Sequence, residues 1–227
     1  MKFSLISSLA LALAGTASAA VIVPVSVSST GTANEPGDAG TSLSALIDGT
    51  GITGTSADNA TGGGATHSGA LANYWVTTNP TGAPDSNDYF ADVSGTLQLD
   101  FDLDGAYDVT RILFWGYDPG FGADATENTP TDITVSYSTN GTTFGSDQTI
   151  NPVIGSGPAQ SFTVSGAPSG TTHVRFLIND NGHDGSGPGG DRVGFGEVRF
   201  GGTAVPEPSS TLLLGLGGLS LVLRRRR

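Results

Sequence analysis

Between residues 97 and 200 the chain sets apolar against polar side chains in short alternating runs bounded by glycine, proline, asparagine or aspartate. Leu97, Leu99, Phe101 and Leu103 are separated by Gln98, Asp100 and Asp102, and Ile133, Val135 and Tyr137 by Thr134 and Ser136. A period of two sends successive side chains to opposite faces of a strand. In residues 172–179 it puts Val174, Phe176 and Ile178 on one face and His173, Arg175 and Leu177 on the other. Residues 109–117 are almost continuously apolar, which predicts a central strand. Further strands are expected at 148–154, 160–165 and 193–200. Asn140-Gly141 supplies the two positions that a tight hairpin needs. Long stretches of helical period are absent. About eight short strands with Gly/Pro-rich joins predict an all-β fold, a two-sheet antiparallel β-sandwich of the jelly-roll kind.

Two segments break the pattern. Residues 29–42 and 49–70 are rich in Gly, Thr, Ala and Ser. The second exceeds the length of ordinary connections, so it is either functional or mobile. Asp100-Phe101-Asp102-Leu103-Asp104-Gly105 has the opening pattern of a calcium-binding EF-hand loop, but Arg111 stands where the closing Glu belongs. These acids read better as the solvent face of a strand that ends in a turn.

The ends have a different character. Lys2, an apolar run over residues 5–14 and the small residues Thr16-Ala17-Ser18-Ala19 form a helical signal peptide, residues 1–20, with cleavage after Ala19 or Ala20. At the other end, Val205-Pro206-Glu207-Pro208 precedes an apolar segment, residues 211–223, and the cluster Arg224, Arg225, Arg226 and Arg227. The prolines keep Glu207 in extended, protease-accessible chain. The 13-residue apolar segment, expected as a short helix, falls short of the roughly 20 residues that span a bilayer comfortably. Four arginines would stay on the cytoplasmic side. The order suits a transient stop in the inner membrane better than a permanent anchor. It resembles the PEP-CTERM sorting signal on Pro206, Glu207, Pro208, the Gly/Leu-rich run and Arg224 to Arg227. The resemblance implies an exosortase as processing partner and delivery of a membrane-inserted precursor to the cell surface or an exopolysaccharide matrix. The body is then one domain, residues 21–204, followed by the signal at 205–227.

Removing the ends changes the charge. The whole chain carries −12, but the body keeps only Arg111, Arg175, Arg192 and Arg199 against twenty acids, near −16. Such a surface repels nucleic acid and attracts divalent cations, and neutral glycans are indifferent to it. There is no cysteine, so stability rests on the core, with or without a metal.

Within the body, Leu46-Ile47-Asp48-Gly49, Tyr74-Trp75, residues 97–103, Tyr107-Asp108-Val109-Thr110-Arg111-Ile112, Ile133 to Ser138 with Asn140-Gly141, and Gly196-Glu197-Val198-Arg199-Phe200 occur in an order that resembles the discoidin, or coagulation-factor-5/8 C-type, domain. That family has a galactose-binding-like jelly roll, and the likeness spans residues 43–200. It implies a structural Ca²⁺ held by Asp48, neighbouring carbonyls and Glu197, a set of hard oxygens that would tie the two ends of the chain. One departure matters. The family places its Trp soon after Asp-Gly, whereas a long loop separates Gly49 from Trp75 here.

Sugar sites pair an aromatic platform with planar polar side chains. Trp75, Tyr74, Trp115, Tyr117, Phe121 and His183 are the aromatic candidates; Trp75 and Tyr74 rank first because they flank the long loop, while Trp115 reads as core. The polar loop with Asp180, Asn181, His183 and Asp184 offers carboxylates, an amide and an imidazole for ligand binding. Catalysis finds no support: there is no Cys nucleophile, no G-x-S-x-G elbow and no H-E-x-x-H. The chain therefore reads as a non-catalytic carbohydrate-binding module directed at extracellular polysaccharide. The alternatives are a structural matrix protein without a defined ligand and a cryptic glycoside hydrolase, which would need two facing carboxylates in a cleft.

Overall fold

The computed structural model describes residues 18–30, 41–54, 64–67, 69–80, 88–155, 157–185 and 189–206. The signal peptide up to residue 17, the middle of the long loop, Glu207, Pro208, the apolar segment and the arginine cluster lie outside the described residues.

Twelve strands are present among those residues: β1 (Ala20–Ile22), β2 (Ser26–Ser29), β3 (Ile52–Thr53), β4 (Thr66–His67), β5 (Trp75–Val76), β6 (Leu97–Trp115), β7 (Pro130–Ser138), β8 (Gly145–Ile150), β9 (Gln160–Thr163), β10 (Thr171–Asn181), β11 (Gly194–Phe195) and β12 (Glu197–Ala204). Two four-residue helices, α1 (Tyr89–Asp92) and α2 (Ala123–Thr126), are the α-helical elements. The main sheet runs β1-β12-β6-β10-β7-β8, with β2 and β9 also on β6, and every pairing is antiparallel.

β6 makes this network a sandwich. Its first half pairs with β10 and β2 around Phe101, and its second half with β12 and β9 around Ile112. Asp104, in left-handed conformation at φ 52°, sits between the halves and lets the strand pass from one layer to the other. The alternation expected from sequence holds. Leu97, Leu99, Phe101, Leu103, Val174, Phe176 and Ile178 are all buried. Phe101, Phe176 and Phe200 meet edge to face, with centroids 5.1–6.3 Å apart, and so join β6, β10 and β12 across the core.

Three sequence expectations need adjusting. The runs expected at 97–103 and 109–117 belong to one continuous strand, β6, which ends at Trp115. The strand expected at 148–154 is β8, which stops at Ile150; Val153 and Ile154 are exposed beyond it. The strand expected at 193–200 is two, β11 and β12, broken at Gly196.

The Asn140-Gly141 turn joins β7 to β8 as expected. Asn140 Oδ1 accepts from the backbone N–H groups of Thr142 and Thr143, both at 2.9 Å. Gly141 has φ +71°, and a Cβ there would come within 2.9 Å of the His173 ring. Gly141→Ala is accordingly expected to cost at least ~1 kcal/mol, read as a lower denaturation midpoint with an unchanged slope.

The acids of β6 serve the surface as expected. Asp100 takes both Arg175 Nε and Nη2 at 2.7 Å, and the guanidinium lies over the Phe144 ring at 3.8 Å. Asp102 Oδ1 accepts from the Asp104 N–H and closes the bend.

Candidate functional site

At the pole where β6 ends, the chain forms a concave site of about 330 Å³. Residues 116–122 leave β6 as a loop. Tyr117 is buried in it, its backbone N–H donates to Thr129 Oγ1 at 3.0 Å, and its ring stands edge-on to Tyr74 at 5.4 Å. Tyr74 Oη donates to the Asp118 carbonyl at 2.7 Å and pins the loop from below. Beyond that anchor, Phe121 stands 68% exposed between Gly120 and Gly122. It forms the apolar wall of the site with Leu71, Tyr117 and Ala125.

The rest of the lining is polar: Asp124, Asn128, Asp191 and Arg192. Three of these are fixed. Asn128 Oδ1 accepts from the N–H groups of Gly190 and Arg192 at 3.1 and 3.3 Å. Asp191, 4% exposed, accepts from Asn79 Nδ2 at 2.8 Å and stands 3.9 Å from Arg192 Nε. Burial lowers the Arg192 pKa and raises those of Tyr117 and, to about 12, Tyr74. Both tyrosines are therefore neutral hydroxyl groups at physiological pH. Beside the site, Glu127 is raised by burial and by the charges of Asp184 and Asp124.

The residues singled out from sequence fall into three groups. Trp75 and Tyr74 are 1% and 0% exposed, so neither presents a ring face to a ligand. Trp75 packs edge-on against Phe195, and Tyr74 supports the loop that carries Phe121. The platform expected from them is absent for a plain reason: β5 pairs with β11, which covers Trp75 with Phe195, and Tyr74 packs between His67 and Tyr117. Trp115 is core, as expected, and its Nε1 donates to the Ala65 carbonyl.

The loop after β10 is a scaffold for the site. Asn181 is 4% exposed and spends its amide on the carbonyls of Gly190 and Arg192, at 2.7 and 2.8 Å, and its Oδ1 on the His183 N–H. That is a positioning role for Arg192, not the ligand contact expected. Asp180 Oδ1 accepts from the Asn181 N–H, and His183 Nδ1 bonds the Gly189 carbonyl. Asp184 is exposed beside Glu127. Asp124, Asn128 and Arg192 were not picked out from sequence, and Asp191 stood only as the last residue of the polar loop. Phe121 was weighed but ranked below Trp75, although a lone aromatic between two glycines outside the alternating runs is a readable signal.

The third group surrounds Glu197. This carboxylate is wholly buried at the start of β12, and Oε1 takes Arg199 Nε at 2.6 Å. Asp48 is exposed, and its Oδ1 accepts from the Thr50 N–H at 2.7 Å. His67, 2% exposed, packs edge-on to Tyr74 at 4.6 Å. Glu197 Oε2 and both His67 ring nitrogens have no partner in hydrogen-bonding geometry. Burial raises Glu197 to about 7, opposed by Arg199 and the Gly49 backbone and assisted by Asp48. Burial lowers His67 to about 4, against the smaller opposing effects of the Thr50 backbone and Asp48.

No curated protein matches the chain. Among solved structures, a putative chitobiase fragment from Bacteroides thetaiotaomicron is similar at 17% identity and TM-score 0.51, covering 82% of this chain and 95% of its own. CpGH89CBM32-5 from Clostridium perfringens, in complex with GalNAc-β-1,3-galactose, is similar at 14% identity and TM-score 0.48, covering 79% of this chain and 98% of that one. The family 32 carbohydrate-binding module of Clostridium perfringens NanJ, in complex with galactose, is similar at 15% identity and TM-score 0.45, with 81% and 98% covered. The chitobiase fragment supports the antiparallel β-sandwich as the fold; the sugars belong to the proteins that carry them. Among the described residues no helix is long and apolar enough to cross a membrane. Residues 204–227 match the PEP-CTERM protein-sorting motif, which marks the chain as an exported protein sorted by an exosortase.

Proposed function

We propose that the exported chain is a non-catalytic carbohydrate-binding module and that the site between Phe121 and Arg192 takes a neutral sugar unit of an extracellular polysaccharide. One observation carries this reading: an exposed aromatic ring and several planar polar groups line the same cavity of about 330 Å³. The ring suits the C–H face of a pyranose, and Asn128, Asp191 and Arg192 suit its hydroxyl groups. Asp124 and Asp191 outweigh Arg192 on the wall, with Glu127 and Asp184 close by, so the site disfavours uronates and sulfated sugars. Asp191 is committed as an acceptor to Asn79, which suits holding a ligand better than delivering a proton to one.

The burial of Trp75 and Tyr74 favours one rival, a structural matrix protein without a defined ligand. Calorimetric titration with neutral and anionic polysaccharides separates the two. Neutral glycans are expected to bind and polyuronates to bind less. Phe121→Ala should weaken binding at least ~10-fold, and because the ring is exposed it should shift stability by no more than ~0.5 kcal/mol. A Phe121→Ala chain that binds as well as the parent removes this site from the account. A parent chain that binds no glycan leaves the matrix reading in its place, and reducing ends released from any glycan would restore the hydrolase.

A further inference from the structure

We propose that the Arg199 guanidinium stands in for the metal clip: paired with Glu197 on its own strand, it packs against the Asp48–Gly49 turn in the place that calcium would take. Glu197 and Arg199 lie two apart on β12 and so share a face. Glu197 is wholly buried and Arg199 only 9% exposed, with Nε donating to Oε1 at 2.6 Å. The guanidinium also reaches the turn. A Cβ on Gly49 would lie 2.9 Å from Arg199 Nη2, and Gly49 holds φ +77°. The same side chain therefore touches both segments that a calcium ion would have bridged.

Few free carboxylate oxygens are gathered here for calcium. Six to eight hard oxygens are required. Asp48 is exposed and has given one oxygen to the Thr50 N–H, and Glu197 has given one to Arg199. Among the described residues no group of three or more His, Asp or Glu side chains could hold a metal ion. Glu197 Oε2 remains without a partner, but one oxygen is not a coordination sphere. A divalent ion bound to it at roughly 2.4 Å would also sit beside a guanidinium of the same sign. Where Glu197 is ionised, the buried pair with Arg199 is already balanced in charge.

The inference is independent of the sugar reading, and melting temperature tests it on the exported chain. The parent is expected to melt at the same temperature in millimolar calcium and in excess chelator. Arg199→Met should lower the melting temperature by roughly 6 °C or more, because it strands a buried carboxylate. Glu197→Gln combined with Arg199→Met removes both charges and should recover at least half of that loss. A parent that melts several degrees higher in calcium overturns the proposal, as does an Arg199→Met chain that melts like the parent. If Arg199→Met does not fold, the calcium comparison on the parent and the double variant still decide the matter.

Discussion

Trp75→Ala is expected to lower the unfolding free energy by ~3–5 kcal/mol, among the largest effects available to one substitution in this chain. The indole is 1% exposed. It packs edge-on against Phe195 at 5.5 Å, and Phe195 in turn lies 5.0 Å from Phe114 on β6. Truncation would open a cavity where the small β5–β11 sheet meets the main core, next to the loops that build the site. Trp75→Phe separates packing from polarity. Trp75 Nε1 has no hydrogen-bond partner, so losing it releases a buried donor and offsets part of the lost volume. That variant should cost less than ~1.5 kcal/mol. Urea or guanidinium midpoints with unchanged slopes would measure both. A Trp75→Ala chain with near-parental stability but no glycan binding would mean that the ring serves ligand after all.

The second large effect is hidden in the parent chain and should appear when one of two buried groups is removed. Glu197 is raised from 4.5 to about 7 on folding. The native state therefore holds a proton that the unfolded chain releases, and this contribution to stability is fully present below pH 4.5 and lost as pH rises through about 7. His67 moves the other way, from 6.5 to about 4. Its contribution is fully present above pH 6.5 and lost as pH falls through about 4. The shifts are alike in size, each equivalent to ~3 kcal/mol, and their slopes oppose one another between pH 4.5 and 6.5. Relative to the parent, His67→Phe should lose stability progressively from about pH 4 to 6.5. Glu197→Gln should gain relative stability from pH 4.5 to about 7. Denaturation midpoints across this range give both difference profiles, and parallel profiles for parent and variants would show that neither group titrates as its burial implies.

The strands were legible where one face alone is buried, because the period of two then survives in the sequence. The runs at Leu97–Leu103, Ile133–Tyr137 and Val174–Ile178 are of this kind. The continuity of β6 was not legible. Asp104-Gly105 has turn chemistry, and only the surrounding sheets decide that the chain bends there and continues. The site was half legible. Its polar loop stood out, but which amides face outward depends on backbone carbonyls brought from Gly190 and Arg192, and so Asn181 was assigned to ligand when it serves the loop. Trp75 misled for a related reason: an aromatic after a long polar segment looks exposed until β11, more than a hundred residues later, covers it. The Glu197–Arg199 pair could have been read from their spacing on a strand, but its burial could not.

The antiparallel pairing of β1 with β12 has a consequence for how the molecule presents itself. Ala20 lies opposite Gly202, so the chain enters and leaves the sandwich side by side. That corner is where the sorting motif begins, at residue 204. The cavity is at the far end of the same strand, where Glu197 pairs with Trp115 and Tyr117 follows, about 20 Å away at the usual rise per residue. A domain held at its C-terminal end would thus present the cavity on the side away from its attachment, like a hand at the end of an arm.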